Sequence, residues 1–177
     1  MKIYKTQIKG LLVIKQKNNI DNRGSLRETY NKKLLNKKFV FEYCTTSKKN
    51  ILRGFHFQTK FQQSKYVNVL KGKILDVVVD LRKNSQTFGK SFKIVLSQKN
   101  ATSLFIPKGF AHAYFSYDTE NIIYYKLDNF YKPKFEDGII FNDKKLKIKW
   151  PKLKVIISKK DKKLRSLKDF INTYAGL

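Results

Sequence analysis

The sequence predicts an all-β fold, and three observations carry the prediction. Short runs rich in Val, Ile, Phe and Tyr follow one another from Phe39 to Lys126. Turn residues break them about every eight to twelve positions, the rhythm of a sandwich or barrel. Helical spacing is confined to the margins. Taken in order, Lys65-Tyr66-Val67-Asn68-Val69-Leu70 alternates apolar with polar, and Lys71-Gly72-Lys73 turns it into Ile74 to Leu81, a hairpin. Phe92 to Leu96, Ser103 to Ile106, Ala111 to Ser116 and Ile122 to Leu127 supply further strands, separated by Gln98-Lys99-Asn100, Pro107-Lys108-Gly109 and Asp118-Thr119-Glu120. Strands this short and this regularly punctuated pack as two sheets. Helix is predicted over Leu26 to Leu35 and around Leu164 to Tyr174, where Leu164, Leu167, Phe170 and Ile171 recur at helical spacing.

A chain of 177 residues, 41% hydrophobic and 14% aromatic, suits one well-buried core. The expectation is a single domain over 1–177 with a C-terminal helical segment from about 158. With 3 Pro and 8 Gly there is no flexible linker to expect. No leader pattern opens the chain and no run of about eighteen apolar residues occurs, so the expectation is a soluble, cytoplasmic protein without membrane insertion. Cys44 is the lone cysteine, which rules out an intramolecular disulfide, a zinc ribbon and a thioredoxin-type motif. The formal charge of +26 raises the question of nucleic acid. The lysines, however, are scattered in pairs such as Lys32-Lys33, Lys48-Lys49 and Lys144-Lys145, flanking apolar stretches instead of forming one block. That is the pattern of a solvated face, and no specific nucleic-acid partner is expected. The same positive field would draw in an anionic small molecule.

The chain has two histidines, His56 and His112, and both lie inside apolar β segments. Period-two alternation in Leu52 to Gln58 puts Gly54, His56 and Gln58 on one face and Phe55 and Phe57 on the other. His112 follows the turn Pro107-Lys108-Gly109. Each is open to reading as a satisfied core residue, but Arg53 beside His56, and Lys65 further on, add cations that suit a phosphate. A metal site of the common His-x-His type is disfavoured, because the second position after His56 is Gln58.

Arg53-Gly54-Phe55-His56-Phe57-Gln58, Asp76-Val77-Val78-Val79-Asp80-Leu81-Arg82, Ser85-Gln86-Thr87-Phe88-Gly89 and Ile106-Pro107-Lys108-Gly109-Phe110-Ala111-His112 occur in that order. Tyr131-Lys132-Pro133, Ile148-Lys149-Trp150-Pro151 and Ser158-Lys159-Lys160-Asp161 follow them. Each motif is weak alone, but their succession from Arg23-Gly24 to about Leu167 resembles the dTDP-4-dehydrorhamnose 3,5-epimerase family. The resemblance implies a cupin jelly roll with short flanking helices, a homodimer, and a nucleotide-diphosphate sugar as substrate. It implies epimerisation at C3, C5 or both of a 4-keto-6-deoxyhexose, without metal or other cofactor.

In such a sugar the protons beside the ketone are acidified, because the carbanion left behind is an enolate. An imidazole titrates near neutrality and suits their removal, and by resemblance His56 is that base. By resemblance too, Asp161 orients the imidazole, Lys65 stabilises the enolate oxygen, and Tyr125 returns a proton from the opposite face. The residues alone leave Tyr125 open as one more strand aromatic, Lys65 as a solvated lysine and Asp161 as a cap or surface charge. The resemblance further places Arg23, Arg53 and His112 on the diphosphate or sugar, Glu28 near the nucleoside, Tyr131 beside the ligand, and Lys160 among the substrate-binding residues. Two departures stand out: Ser25 where the family usually has an aromatic, and Phe41-Glu42-Tyr43 where it has Gln, then Asp or Glu, then Asn. The alternatives are a single-carbon epimerase of another nucleotide sugar such as a GDP-heptose, and a non-catalytic sugar- or nucleic-acid-binding cupin.

Overall fold

The computed structural model describes residues 1–151 and 154–177. The chain begins with four short strands, β1 (Lys2–Lys5), β2 (Leu12–Lys15), β3 (Asn18–Asp21) and β4 (Gly24–Arg27), then one helical turn, α1 (Lys32–Leu35). Eight longer strands follow: β5 (Phe41–Ser47), β6 (Leu52–Gln58), β7 (Lys65–Lys71), β8 (Lys73–Asp80), β9 (Ser91–Ser97), β10 (Thr102–Ile106), β11 (Phe110–Ser116) and β12 (Asn121–Leu127). The short β13 (Glu136–Gly138) and a C-terminal helix, α2 (Leu167–Tyr174), complete it.

A six-stranded sheet in the order β1-β2-β10-β7-β12-β5 faces a five-stranded sheet in the order β13-β6-β11-β8-β9, and β3-β4 stands apart as a hairpin. All the strand pairs of these sheets are antiparallel. This is the cupin-like β sandwich implied by the resemblance. Alternation sets the layers. Val67, Val69, Leu104, Ile106, Ile123, Tyr125 and Leu127 of one sheet meet Ile74, Val78, Phe110 and Tyr114 of the other between the sheets. The opposite face of the five-stranded sheet is also apolar, with Phe55, Phe57, Val77, Val79, Ala113 and Phe115. The C-terminal segment covers it with Leu146, Leu167 and Phe170, and with half-buried Trp150. That double burial explains why β8 reads Ile-Leu-Asp-Val-Val-Val, an almost unbroken apolar run.

The margins differ from the expectation. The predicted helix over Leu26 to Leu35 forms only at Lys32–Leu35, where the Asn31 side chain caps the N-terminus by accepting from the Lys33 N–H at 3.0 Å. Leu26 instead pairs with Asn19 in the β3-β4 hairpin. The C-terminal segment is likewise not helical from 158. Ile156 bridges to Ile51 in parallel, residues 161–163 make a 3₁₀ turn, and α2 starts only after Ser166, whose side chain accepts from the Asp169 N–H at 3.1 Å. Extended backbone at Leu164 separates the two turns.

Candidate active site

The inner face of β6 is built around a bulge. His56 pairs with His112, but Arg53 pairs with Tyr114, so three residues of β6 span two of β11. Simple alternation would send Arg53 to the far face with Phe55. The extra residue instead lets its Nε reach Ser47 Oγ at 3.2 Å, beside the same cleft as His56. Gly54 makes the bulge possible: at φ +106° a Cβ there would run into the His112 carbonyl oxygen and lie 2.9 Å from Ala113 Cα.

Asp161 is carried to His56 by the 3₁₀ turn. Its Oδ1 lies 2.9 Å from His56 Nε2, its Oδ2 accepts from the Gly54 N–H at 3.0 Å, and its own N–H donates to Ser158 Oγ at 3.0 Å. Burial works to raise the Asp161 carboxyl, yet the hydrogen bonds from His56 and Gly54 outweigh it and hold the group below the usual range. The side chain of Asp161 is 6% exposed and that of His56 27%; the imidazole has one nitrogen committed to Asp161, and the pair borders a cleft of about 370 Å³ that Arg53, Ser158 and Lys160 also line.

The facing wall comes from the six-stranded sheet. Lys65 and Tyr125 lie on the inner faces of β7 and β12, where Lys65 pairs with Leu127 and Tyr125 with Val67. Burial pulls the Lys65 ammonium down to about 8, against the pull of Glu136 and Asp76. Burial, with Tyr114, Tyr43 and Asp76 nearby, holds the Tyr125 phenol protonated to well above its ordinary value. His112 links the walls. Its Nε2 is 2.8 Å from Asp76 Oδ2, both side chains are at most 5% exposed, and its ring centroid is 6.1 Å from that of Tyr125.

One chain therefore brings together eight of the ten residues singled out from sequence: His56, Asp161, Lys65, Tyr125, Arg53, His112, Tyr131 and Lys160. Tyr131 and Lys160 meet on a residue not singled out, Glu136, which accepts from the Tyr131 hydroxyl at 2.9 Å and pairs with the Lys160 ammonium. Burial would raise the Glu136 carboxyl, but Lys160, Tyr131 and the nearby His56 keep it below the usual range. Gln58, at the second position after His56, spends its amide on the adjoining loop: Nε2 donates to the Phe61 carbonyl at 2.8 Å and Oε1 accepts from the Lys132 N–H at 2.6 Å. Among the described residues, no group of three or more His, Cys, Asp and Glu is arranged to hold a metal ion.

Arg23 and Glu28 are not part of this grouping within one chain. Arg23, 85% exposed, pairs with Asp21 at 2.6 Å in the β3-β4 turn. Glu28 accepts from Asn31, and the adjoining Thr29 carbonyl receives the Tyr66 hydroxyl at 2.6 Å. Tyr66 belongs to the outer face of the six-stranded sheet, so this segment runs behind the wall that carries Lys65 and Tyr125.

Proton acceptors and donors on two facing inner walls, with a cation on one of them, suit an isomerase that moves protons at the carbons of a ring held between the sheets. The comparisons narrow that class. Residues 5–169 match the family model of dTDP-4-dehydrorhamnose 3,5-epimerase, and the chain belongs to that family. A dTDP-4-dehydrorhamnose 3,5-epimerase of Methanothermobacter thermautotrophicus is 38% identical over 176 residues, 95% of each chain. Among solved structures, the dTDP-6-deoxy-D-glucose-3,5-epimerase of Legionella pneumophila in complex with dTDP-4-keto-L-rhamnose superposes with a TM-score of 0.90 at 36% identity, covering 94% of this chain and 93% of that one. The Bacillus anthracis enzyme with TDP and pyrophosphate bound superposes at 0.89 with 36% identity, covering 94% and 99%. No helix among the described residues is long and apolar enough to cross a membrane.

Proposed function

We propose that this chain epimerises C3 and C5 of a dTDP-linked 4-keto-6-deoxyhexose, the gluco-configured ketone giving the 4-keto-L-rhamnose form. The observation that carries the reading is the placement of His56 on one sheet, with Asp161 brought to it by the 3₁₀ turn, and of Lys65 with Tyr125 on the facing sheet. A sugar ring lying between them presents opposite faces to base and acid. His56 takes the proton beside the ketone; Asp161, held by Gly54, fixes which imidazole nitrogen is free and stabilises the imidazolium that forms. Lys65 donates to the ketone oxygen as negative charge builds there, a contact that strengthens toward the transition state. Tyr125, kept protonated by its surroundings, delivers a proton to the other face. Arg53 and Lys160 at the cleft mouth supply cations for the diphosphate.

Arg23 and Glu28 enter this reading through a second copy. The β3-β4 hairpin exposes Ile20 by 77% and Leu26 by 69%, apolar side chains that a neighbouring subunit would cover. A homodimer in which the hairpin reaches the partner's cleft accounts for both features, and the cytoplasm is the compartment we propose for it. The experiment is proton NMR of dTDP-4-keto-6-deoxyglucose incubated with the protein in deuterated water. Deuterium at C3 and C5 with inversion is the expected result; an unchanged sugar sinks the reading.

A further inference from the structure

Tyr43 lies on β5, the edge strand of the six-stranded sheet, directly opposite Tyr125 in the β12-β5 register. Its ring stacks on that of Tyr125 with centroids 4.8 Å apart and planes 22° apart. Its outer side leans on Phe41 at 5.7 Å, which in turn meets the exposed Phe130 at 6.2 Å. Tyr43 itself is 36% exposed and Tyr125 3%, so the Tyr43 ring stands between Tyr125 and solvent at the open edge of the sheet. The other contacts of Tyr125 do not stack on its face: Thr45 hydrogen-bonds the hydroxyl, and His112 meets the ring edge-on.

We propose that Tyr43 is a positioning residue for Tyr125: its stacked ring fixes the plane of the acid and shuts water out of the edge of the site, so that the enolate is reprotonated from the Tyr125 face instead of being quenched at random. A parallel-offset aromatic pair has a defined geometry, with a preference that a small side chain cannot reproduce. A phenol one rotamer away from its target would lose the alignment on which proton delivery depends. Water entering beside Tyr125 would also compete as a proton source and solvate the phenol. The burial and the nearby Tyr43 that hold Tyr125 protonated are consistent with a closed edge.

The inference rests on Tyr125 being the acid. Its test compares wild type, Tyr43→Ala, Tyr43→Leu and Tyr43→Phe with dTDP-4-keto-6-deoxyglucose in deuterated water, counting by NMR the inversions per deuterium incorporated. In Tyr43→Ala and Tyr43→Leu, which differ in bulk but both lack a ring, inversions per exchange event are expected to fall at least tenfold, with exchange itself falling less. Tyr43→Phe, which restores the ring without the hydroxyl, is expected to recover the ratio to within about threefold of wild type. The leucine variant fills the site and guards against an alanine variant that folds poorly. An unchanged ratio in both ring-less variants, or a phenylalanine variant as defective as alanine, overturns the role of stacking. A failure of the acid assignment shows itself separately, as inversion of both carbons by Tyr125→Phe.

Discussion

Gly54 and His56 share one carboxylate: the Gly54 N–H donates to Asp161 Oδ2 at 3.0 Å while His56 Nε2 meets Oδ1 at 2.9 Å. The backbone of the strand that bears the proposed base thus also holds the carboxylate proposed to orient it, at the bulge that Gly54 makes possible. Asp161→Asn keeps the shape of the group but sets an amide N–H against one of two donors. The expected outcome is a fall in kcat of roughly a hundredfold or more, from loss of tautomer control and of charge, with the fold retained. Steady-state kinetics beside a circular dichroism melt checks it; an activity within tenfold of wild type would remove Asp161 from the mechanism.

Lys65 gives a pH dependence with a definite sign. Its ammonium is lowered from 10.5 to about 8 by burial, so the cation proposed to face the enolate is lost as pH rises through about 8. The expected kcat profile has an alkaline limb near that pH, and Lys65→Arg, which stays charged, should abolish the limb even where it lowers the rate. Lys65→Met should cost on the order of a hundredfold in kcat. For stability the direction is opposite. A lysine whose folded value is depressed penalises the fold while charged, and the penalty fades between about 8 and 10.5. Melting temperatures across that window should therefore rise for wild type relative to Lys65→Met; parallel curves would show that burial does not perturb the ammonium.

The inner strands were legible because each is flanked by turn residues and carries a strong apolar pattern on at least one buried face, as in Ile74 to Leu81. The site was legible through ordered motifs, since residues 105 positions apart, such as His56 and Asp161, leave no local trace of their contact. Two kinds of feature escaped. The β3-β4 hairpin carries its apolar residues on exposed faces, Ile20 and Leu26, so a pattern that assumes burial mistakes Leu26 for the start of a helix. Glu136 had no conspicuous motif: its value comes from Tyr131 and Lys160 converging on it in space. A half-buried acid opposite Gln58 in the β13-β6 register is visible only once the strands are paired.

The exposed hairpin leads to a prediction about assembly. Replacing Ile20 and Leu26 together by aspartate leaves the two sheets untouched, because neither side chain packs in their cores. Such a variant is expected to sediment as a monomer, to keep its melting transition within a few degrees, and to lose at least tenfold in kcat/KM as Arg23 and Glu28 are withdrawn from the partner's cleft. Sedimentation velocity and kinetics on one preparation decide it. A dimer with full activity would place Arg23 and Glu28 outside the site altogether.

The proposed acid admits the sharpest separation of outcomes. Tyr125 lies on β12, on the wall facing His56, with its phenol held protonated by burial and by the neighbouring Tyr114, Tyr43 and Asp76. If His56 removes a proton from one face and Tyr125 supplies one to the other, Tyr125→Phe should spare deprotonation and cripple inversion. Deuterium would still enter from solvent, because the imidazolium can return a deuteron to the face it came from, and the sugar would keep its starting configuration. The substitution removes one oxygen and retains the ring stacked on Tyr43 and edge-on to His112, so packing is nearly conserved and unfolding does not explain a large loss. A drop of roughly a hundredfold in inversion, with exchange reduced far less, is the expected result by NMR in deuterated water. Where solvent reaches one of the two carbons, the variant should accumulate a singly inverted sugar. Inversion of both carbons at close to the wild-type rate would make Tyr125 a structural aromatic and move the acid to another group, with the Tyr131 hydroxyl on Glu136 the first to test.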